Sequence, residues 1–242
     1  MEFKKEFTAG IIIIGNEILS GRTVDKNTSF IALWLNDRGI SVEEVRVIPD
    51  KEKVIIDTVN ELRKKFAYIF TTGGIGPTHD DITAESISKV FNQKYQYHPE
   101  AYKILEEFYK TENFNEGRKK MAKMPEHAKL IPNLKTFAAG FYVENVFVLP
   151  GVPSILQSML SQLNNIIKTG KKILSSSIDT NLRESQISEQ LSKLQDKYKN
   201  IDIGSYPYFK EKPGTILVLR STEKDLLKRC EEDVKKLVNS LK

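Results

Sequence analysis

Short apolar runs alternate with amphipathic stretches along the first part of the chain. Residues 8–15 and 67–70 are apolar runs of strand length without polar alternation, which is typical of parallel strands covered on both faces. A further strand is indicated over 42–48, and 51–65 carries apolar side chains at helical spacing. The pattern predicts a β-α-β-α-β-α series, and therefore an α/β fold with a doubly wound, mostly parallel sheet.

The same alternation continues to residue 170. The pattern predicts helices over 82–91 and 100–109, the second with Phe108 facing inward, then a strand over 143–149 and an apolar helix after Ser154. The first of these helices is expected to open at Asp80-Asp81, because acidic residues are favoured in a first helical turn.

The organisation changes after residue 170. A short strand over 173–178 precedes an amphipathic helix over 183–198, and two more strands then lead to a final helix over 226–241. The second strand of this part is expected to end in a turn at Gly204-Ser205-Tyr206-Pro207. This β-α-β-β-α order predicts a small ferredoxin-like α+β domain. We therefore predict one domain over 1–170 and a second over 171–242.

Composition and charge narrow the class of protein. The net charge of +5 lies mostly in 171–242, where basic and acidic residues are interleaved along predicted helices. That arrangement is typical of a solvated surface, so nucleic acid is not an expected partner. The single Cys230 excludes an internal disulfide and fits a reducing compartment. No apolar stretch reaches the roughly 18 residues of a membrane span, and the first residues lack a signal-peptide core, so the expected location is cytoplasmic.

The candidate chemistry is concentrated in the loop after the strand at 67–70. Thr72-Gly73-Gly74 ends that strand, and a glycine turn before a helix N-terminus suits an anion such as phosphate. The adjacent carboxylates of Asp80 and Asp81 would repel an anion unless a divalent cation lay between them. The loop is therefore built for a phosphate, a metal or both, while plain capping of the helix is the structural alternative.

Two other loops are expected to reach the same place. The segment Gly15–Gly21 follows the first strand, and Pro150–Ser154 joins the strand at 143–149 to an apolar helix. In a doubly wound sheet, ligands lie beyond the carboxyl ends of the strands. The loops at 15–21 and 73–78 should therefore line one pocket, and the start of the helix at Ser154 offers a second helix N-terminus to an anion.

The residues Thr72-Gly73-Gly74-Ile75-Gly76-Pro77-Thr78, followed by Asp80, Asp81 and Thr83, resemble the signature of the MoaB/Mog (molybdopterin-binding) superfamily. The likeness is strongest to the CinA N-terminal branch and to the molybdopterin-binding-like domain of eukaryotic FAD synthase. Matching positions in the first loop are Gly15, Glu17, Leu19, Gly21, Asp25 and Asn27. The segment 133–140 also resembles a family loop, although Thr136, Phe137 and Ala139 replace its glycine, threonine and proline.

The resemblance implies a set of site residues. Asp80, Asp81 and Lys120 would be catalytic, with Asp80 and Asp81 as metal ligands. The ligand would be held by Gly15, Glu17, Asp25, Asn27, Thr72, Gly73, Gly74, Gly76, Thr78, Asn133, Gly151 and Ser154. On the residues alone, Asp25 could equally be a helix cap and Glu17 a surface acid. Ile155 stands where relatives commonly carry glutamate.

Two functions are compatible with such a pocket. The resemblance implies a metal-dependent nucleotide pyrophosphatase that hydrolyses ADP-ribose or FAD-like dinucleotides with Mg²⁺ or Co²⁺. It equally allows a protein that binds molybdopterin or a nucleotide without hydrolysing it. A scaffold that has lost its ligand is a third interpretation. By resemblance alone, we expect a homo-oligomer whose other partner is a small nucleotide or pterin.

Overall fold

The computed structural model describes residues 7–209 and 213–241, with the side chains of 111 and 112 left out. The described residues form two compact units. One comprises 7–36 and Ile40–Gly170, and the other comprises 171–209 and 213–241 with Asp37–Gly39. We refer to them as the N-terminal and C-terminal units.

The N-terminal unit is built around a six-stranded sheet. The strands of the unit are β1 (Thr8–Ile14), β2 (Ser41–Ile48), β3 (Tyr68–Thr72), β4 (Tyr95–Tyr97), β5 (Lys123–Pro125), β6 (Lys129–Ile131), β7 (Gly140–Val143) and β8 (Val146–Leu149). Of these, β4 and β5 pair with each other in a separate antiparallel sheet. The helices of the unit are α1 (Asn16–Leu19), α2 (Asn27–Asn36), α3 (Glu52–Lys65), α4 (Thr83–Val90), α5 (Pro99–Asn113), α6 (Glu116–Lys120) and α7 (Pro153–Leu160). The order of the six-stranded sheet is β2-β1-β3-β8-β7-β6, and its first four strands are parallel. The predicted α/β fold with a mostly parallel sheet is confirmed.

The central strand β1 is covered on both faces. All seven of its residues are buried. Ile12 and Ile14 belong to one hydrophobic core, whereas Ile11 and Ile13 belong to another on the opposite face of the sheet. Strand β1 therefore reads as a continuous apolar run because neither of its faces meets water.

The strand predicted over 143–149 is present as β8, but it begins only at Val146, and Val143 belongs to β7. The chain forms a hairpin there, in which β7 and β8 are antiparallel and Val143 pairs with Val146. Glu144 takes a positive φ of 50° in the connecting turn, and Asn145 Nδ2 donates to the carbonyl oxygens of Arg63 and Phe66 at 2.9 and 3.1 Å. Hydrogen bonds to a distant segment thus hold a turn that lacks the usual Asn-Gly signal.

Three smaller expectations are also corrected. Helix α4 begins at Thr83, so Asp80 and Asp81 lie in the turn before the helix. The first glycine loop contains the short helix α1. Phe108 is 45% exposed on α5, where its ring lies 4.5 Å from that of Phe137. Helical spacing alone cannot reveal that a neighbouring loop supplies an aromatic partner at the surface.

The C-terminal unit has the predicted β-α-β-β-α order. It consists of β9 (Leu174–Thr180), α8 (Glu184–Lys197), β10 (Asp202–Phe209), β11 (Pro213–Ser221) and α9 (Lys224–Ser240), with an antiparallel sheet in the order β10-β11-β9. The turn expected at Gly204–Pro207 is wrong, because Pro207 lies within β10 and pairs with Thr215. Strand β10 is at the edge of this sheet, where proline is tolerated. No helix within 7–209 and 213–241 has both the length and the apolar character of a membrane span.

Candidate functional site

A cavity of about 580 Å³ opens at the carboxyl ends of the parallel strands. It brings together residues from six segments that are far apart in the sequence, as the topology of a doubly wound sheet predicts. The cavity is lined by Ile13, Ile14, Glu17, Ile18, Thr23, Val24, Asp25, Lys26, Asn27, Asp50, Thr72, Gly73, Gly74, Ile75, Gly76, Pro77, Asp80, Asp81, Met121, Asn133, Thr136, Ala138, Ala139, Pro150, Gly151, Val152, Pro153 and Ile155. We call it the main cavity.

The glycine turn after β3 is packed too tightly for side chains. Gly73 and Gly74 have φ values of 105° and 68°. A Cβ on Gly73 would lie 2.1 Å from the carbonyl oxygen of Ile14, and one on Gly74 would lie 2.2 Å from Thr83 Oγ1. Thr83 donates its backbone N–H to the Gly74 carbonyl at 2.9 Å and its hydroxyl to the Gly73 carbonyl at 3.0 Å. The turn is thereby fixed between β1 and α4. Gly74 is half-buried at the wall of the main cavity, whereas Gly73 is buried and donates its N–H to the Leu149 carbonyl at 3.1 Å.

The two adjacent aspartates lie beside this turn. Asp81 Oδ2 accepts hydrogen bonds from the backbone N–H of Thr78, at 2.8 Å, and from its hydroxyl. Lys120 Nζ donates to the carbonyl oxygen of the same Thr78, outside the main cavity. Hydrogen bonding from Thr78 and from a backbone N–H holds the pKa of the exposed Asp80 carboxyl below its usual value. Asp80 is therefore an anion over the physiological pH range.

Asn27 ties three of the converging segments together. Its buried side chain donates from Nδ2 to Thr72 Oγ1 at 2.9 Å and to the Gly151 carbonyl at 2.8 Å. Thr72 Oγ1 in turn donates to the carbonyl of Pro150 at 2.9 Å. A carbonyl can only accept, so the amide orientation is fixed and Asn27 Oδ1 is left as a buried acceptor with no partner among the described residues.

The acids of the first loop have different surroundings. Asp25 Oδ1 accepts from the backbone N–H of Asn27 at 2.9 Å, so Asp25 caps the start of α2 while it also lines the main cavity. The Glu17 carboxylate lies against Gly15, where a Cβ would be 2.5 Å from Glu17 Oε1. Asp50, which follows β2, accepts from the backbone N–H of Asn16 at 2.8 Å.

Asn133 organises the loop that closes one side of the cavity. Its Nδ2 donates to Thr136 Oγ1 at 2.6 Å and to the Ala138 carbonyl at 2.9 Å. Its Oδ1 accepts from the backbone N–H groups of Lys135 and Thr136, at 3.0 and 3.3 Å. The polar atoms of this side chain are all engaged within the loop, so Asn133 shapes the wall rather than offering a free group to a ligand.

The structure separates the predicted site residues into two groups. Of the described residues, Gly15, Thr78, Lys120 and Ser154 do not line the main cavity, although Thr78 supports Asp81. The predicted residues that do line it are Glu17, Asp25, Asn27, Thr72, Gly73, Gly74, Gly76, Asp80, Asp81, Asn133 and Gly151.

Sequence reasoning missed several residues of this cavity. Asp50 lies two residues after the strand predicted over 42–48, and its place at the carboxyl end of that strand could have identified it. Lys26 lies between the predicted site residues Asp25 and Asn27, and it is the one basic side chain among the described residues that line the cavity. Ile155 lines the wall where the family resemblance expects a glutamate.

The charge of the main cavity is predominantly negative. Glu17, Asp25, Asp50, Asp80 and Asp81 contribute carboxylates, against the single ammonium group of Lys26. Within 7–209 and 213–241, no three His, Cys, Asp or Glu side chains come close enough to bind a metal together. A cation at Asp80 and Asp81 would therefore need water or ligand oxygens to complete its coordination.

Comparison with protein families gives two matches. Residues 10–181 match the family described as "Probable molybdopterin binding domain", and residues 172–241 match the family described as "FAD synthase, middle domain". These matches confirm the resemblance that the glycine motif predicts.

Individual relatives agree with the family matches. A protein of Archaeoglobus fulgidus is 33% identical over 230 residues, which cover 95% of this chain and 97% of the relative. A "Probable FAD synthase" of Caenorhabditis elegans is 29% identical over 232 residues, which cover 85% of this chain and 44% of that protein. Among solved structures, the protein CinA of Thermoplasma acidophilum, described as having unknown function, is 31% identical with a TM-score of 0.63, covering 67% of this chain and 98% of that one.

Proposed function

The chain belongs to the molybdopterin-binding-domain family, and from this premise we propose that it is a metal-dependent nucleotide pyrophosphatase acting on ADP-ribose- or FAD-like dinucleotides. The observation that carries the proposal is the juxtaposition of Asp80 and Asp81 with the half-buried Gly74 and Gly76 in one cavity. Backbone N–H groups suit phosphate oxygens, and paired carboxylates suit the divalent cation that accompanies a pyrophosphate.

The size and polarity of the main cavity support a nucleotide rather than a bare phosphate. Its volume of about 580 Å³ lies within the range of small-molecule sites, and its walls combine apolar and polar groups. Asn27 Oδ1 is a buried acceptor without a partner among the described residues, and it suits a hydroxyl or ring N–H donor of the ligand. Lys26 offers the positive charge for a phosphate group.

The donor set fits a small, hard cation. Mg²⁺ keeps several of its waters and is commonly held by one or two carboxylates together with substrate phosphates, so the absence of a third protein ligand among the described residues agrees with it. Asp80 and Asp81 would hold such an ion. When bound, it would neutralise phosphate charge and acidify a water molecule.

Hydrolysis adds one water across the P–O–P linkage. The water oxygen forms a bond to one phosphorus as the bridging P–O bond breaks, and the proton lost from the water passes to solvent or to a carboxylate. The low pKa of Asp80 makes it a weak base, so a role as an anionic ligand suits it better. The glycine turn and Lys26 would hold the phosphate groups in place.

The proposal is tested with ADP-ribose and FAD as substrates. Asp81→Ala should lower turnover by about 100-fold or more, because it removes both a metal ligand and the acceptor for Thr78. EDTA should abolish turnover of the wild type, and Mg²⁺ or Co²⁺ should restore it. The matched control is Asp57→Ala, which removes an exposed carboxylate paired with Lys53 on α3. Unchanged turnover in Asp81→Ala would refute the mechanism.

One observation favours binding without hydrolysis as the second candidate. Ile155 places an apolar side chain in the cavity wall, at a position where the family resemblance implies a glutamate. If that carboxylate is needed for turnover, the chain would bind a nucleotide or molybdopterin and leave it intact. Tight binding of ADP-ribose with no release of AMP, at any divalent metal concentration, would favour this candidate.

A further inference from the structure

A second cavity of about 350 Å³ lies on the other side of the loop that Asn133 organises. Its lining is apolar except for Asn133, Glu100 and Glu107. The remaining lining residues are Ile104, Phe108, Leu130, Pro132, Leu134, Phe137 and Ala139. We call it the aromatic cavity.

The aromatic cavity adjoins the main cavity. Asn133 and Ala139 line both, so the loop over 133–139 is a shared wall. Thr136 and Ala138 face the main cavity, whereas Leu134 and Phe137 face the aromatic one. A ligand long enough to pass this wall would have one end in each cavity.

The aromatic cavity presents an unusual amount of exposed apolar surface. Phe108, Leu134 and Phe137 are 45%, 66% and 39% exposed. The rings of Phe108 and Phe137 lie 4.5 Å apart at an interplanar angle of 34°. Exposed apolar surface gathered around a concave site is typical of a binding surface, because apolar side chains are otherwise buried.

The protein holds Phe137 in place against a local conformational preference. Phe137 has a φ of 63°, which costs a non-glycine residue about 1–2 kcal/mol. Its N–H donates to the Asn133 carbonyl at 3.1 Å, and the side-chain bonds of Asn133 fix the residues around it. A bulky residue maintained in such a conformation indicates that its side-chain position matters.

The charged residues that line the two cavities indicate which part of a dinucleotide each cavity would bind. The aromatic cavity has no basic lining residue to offset Glu100 and Glu107, so nothing there would balance the charge of a phosphate group. The main cavity has Lys26 and the adjacent carboxylates of Asp80 and Asp81, which are proposed to hold a divalent cation. The aromatic cavity therefore suits a flat heteroaromatic ring, especially an electron-poor one with N–H donors, stacked on a phenylalanine. The phosphates then belong in the main cavity, beside Lys26 and the glycine turn.

We propose that the aromatic cavity is the subsite for the second ring of a dinucleotide, with Phe108 and Phe137 as its stacking residues. This inference rests on the proposed function, because it places the pyrophosphate in the main cavity. It assigns the substrate class more narrowly: a dinucleotide with two ring systems, such as FAD, should bind more tightly than ADP-ribose, which has one.

The test compares the affinities for FAD and ADP-ribose by isothermal titration of the full chain with Mg²⁺ present, at a temperature low enough that chromatography after the titration finds both ligands intact. Phe137→Ala and Phe108→Ala should each weaken FAD binding by about 5- to 100-fold, the range for one stacked base, and change ADP-ribose binding less than about 2-fold. The matched control is Tyr97→Ala, because Tyr97 is also 39% exposed, is also ring-paired, and lines neither cavity. Urea unfolding of each variant verifies that it is folded.

Four results would overturn the inference. Wild-type binding of ADP-ribose, together with FAD binding that neither phenylalanine variant weakens, would refute the subsite and leave the pyrophosphate proposal standing. An equal loss of affinity for FAD and for ADP-ribose would also refute it, because Phe108 and Phe137 would then affect the whole site rather than one ring of FAD. A change in sedimentation of the variants would show that a second copy of the chain covers the surface. If neither ligand binds the wild type, the inference and the proposed function fail together.

Discussion

At the scale of single residues, the main cavity depends on a few polar side chains that cross-link loops. Asn27 is the clearest of them, because it joins Thr72 and Gly151 from two other segments. The family resemblance implies that Asn27 is a ligand residue. Because Asn27 also forms these structural hydrogen bonds, its contribution to stability must be separated from any contribution to binding. Stability therefore has to be measured without ligand.

Asn27→Ala should lower the free energy of unfolding by about 2 kcal/mol, since the buried hydroxyl of Thr72 and the Gly151 carbonyl both lose their donor. The measurement is urea unfolding without ligand. Asn16→Ala is the matched control, because Asn16 is exposed and, among the described residues, forms hydrogen bonds only through its backbone, so its change should stay within about 0.5 kcal/mol. Equal effects of the two substitutions would contradict the cross-linking role.

The two lysines near the site allow a second residue-scale prediction. The ammonium group of Lys120 donates a hydrogen bond to the Thr78 carbonyl. Lys26 lines the main cavity, and in the described part of the chain its ammonium group forms no hydrogen bond or ion pair. Lys26→Met should therefore weaken ADP-ribose binding by about 3- to 10-fold, more at low salt than at high salt, and Lys120→Met by less than about 2-fold. The opposite ranking would favour Lys120, which the family resemblance implies to be catalytic, as the phosphate-binding lysine.

At the scale of elements, the strand–turn–helix unit from β3 to α4 is fixed by its glycines. Gly73→Ala should destabilise the N-terminal unit by about 3 kcal/mol or more, because strain at positive φ adds to a clash with a backbone oxygen that cannot move away freely. The readout is urea unfolding followed by Trp34 fluorescence.

Gly21→Ala is the matched control for this prediction. Gly21 has a similar φ of 72°, but a Cβ there meets nothing within 4 Å. Its substitution should therefore cost only the conformational strain, about 1–2 kcal/mol. If both substitutions cost the same, packing against Ile14 would not be the reason for glycine at position 73.

The elements also show how far the sequence determines the structure. Strands β1 and β3 and the helices with strong apolar periodicity were predictable, because burial on one or both faces leaves a period in the sequence. The hairpin of β7 and β8 was not, since its turn depends on bonds from Asn145 to a segment about 80 residues away. The position of Asp50 in the cavity could be predicted, because it follows from the topology of the sheet. The exposure of Phe108 could not, because its aromatic partner Phe137 lies in a loop whose conformation no local sequence pattern reveals.

At the scale of the whole molecule, each unit has its own hydrophobic core. The cores of the N-terminal unit pack on the two faces of the six-stranded sheet, whereas that of the C-terminal unit is formed by β9, β11 and its helices. A unit of about 70 residues buries a smaller share of its surface than one of about 160 and is correspondingly less stable. We therefore propose that the C-terminal unit unfolds separately, at a lower urea concentration.

The chain carries one natural probe in each unit. Trp34, the single tryptophan, packs edge-on against Phe70 with ring centroids 6.2 Å apart in the N-terminal unit. Cys230, the single cysteine, is fully buried in α9, and burial raises its thiol pKa to about 11. At pH 8 the folded thiol is therefore protonated and inert, whereas unfolding returns the pKa to about 8.5 and makes the thiolate available.

Cys230 labelling should accordingly reach its midpoint at a lower urea concentration than the change in Trp34 fluorescence. Complete labelling of Cys230 in high urea defines the end point of the labelling curve. As a control, the urea midpoint measured by Trp34 fluorescence should not change in Cys230→Ala, because the two side chains belong to different hydrophobic cores. Coincident transitions would mean that the chain unfolds as one cooperative unit, and the boundary between residues 170 and 171 would then lack thermodynamic meaning. Separate transitions would make the C-terminal unit a domain in its own right, because only a core that stands without its neighbour can unfold by itself.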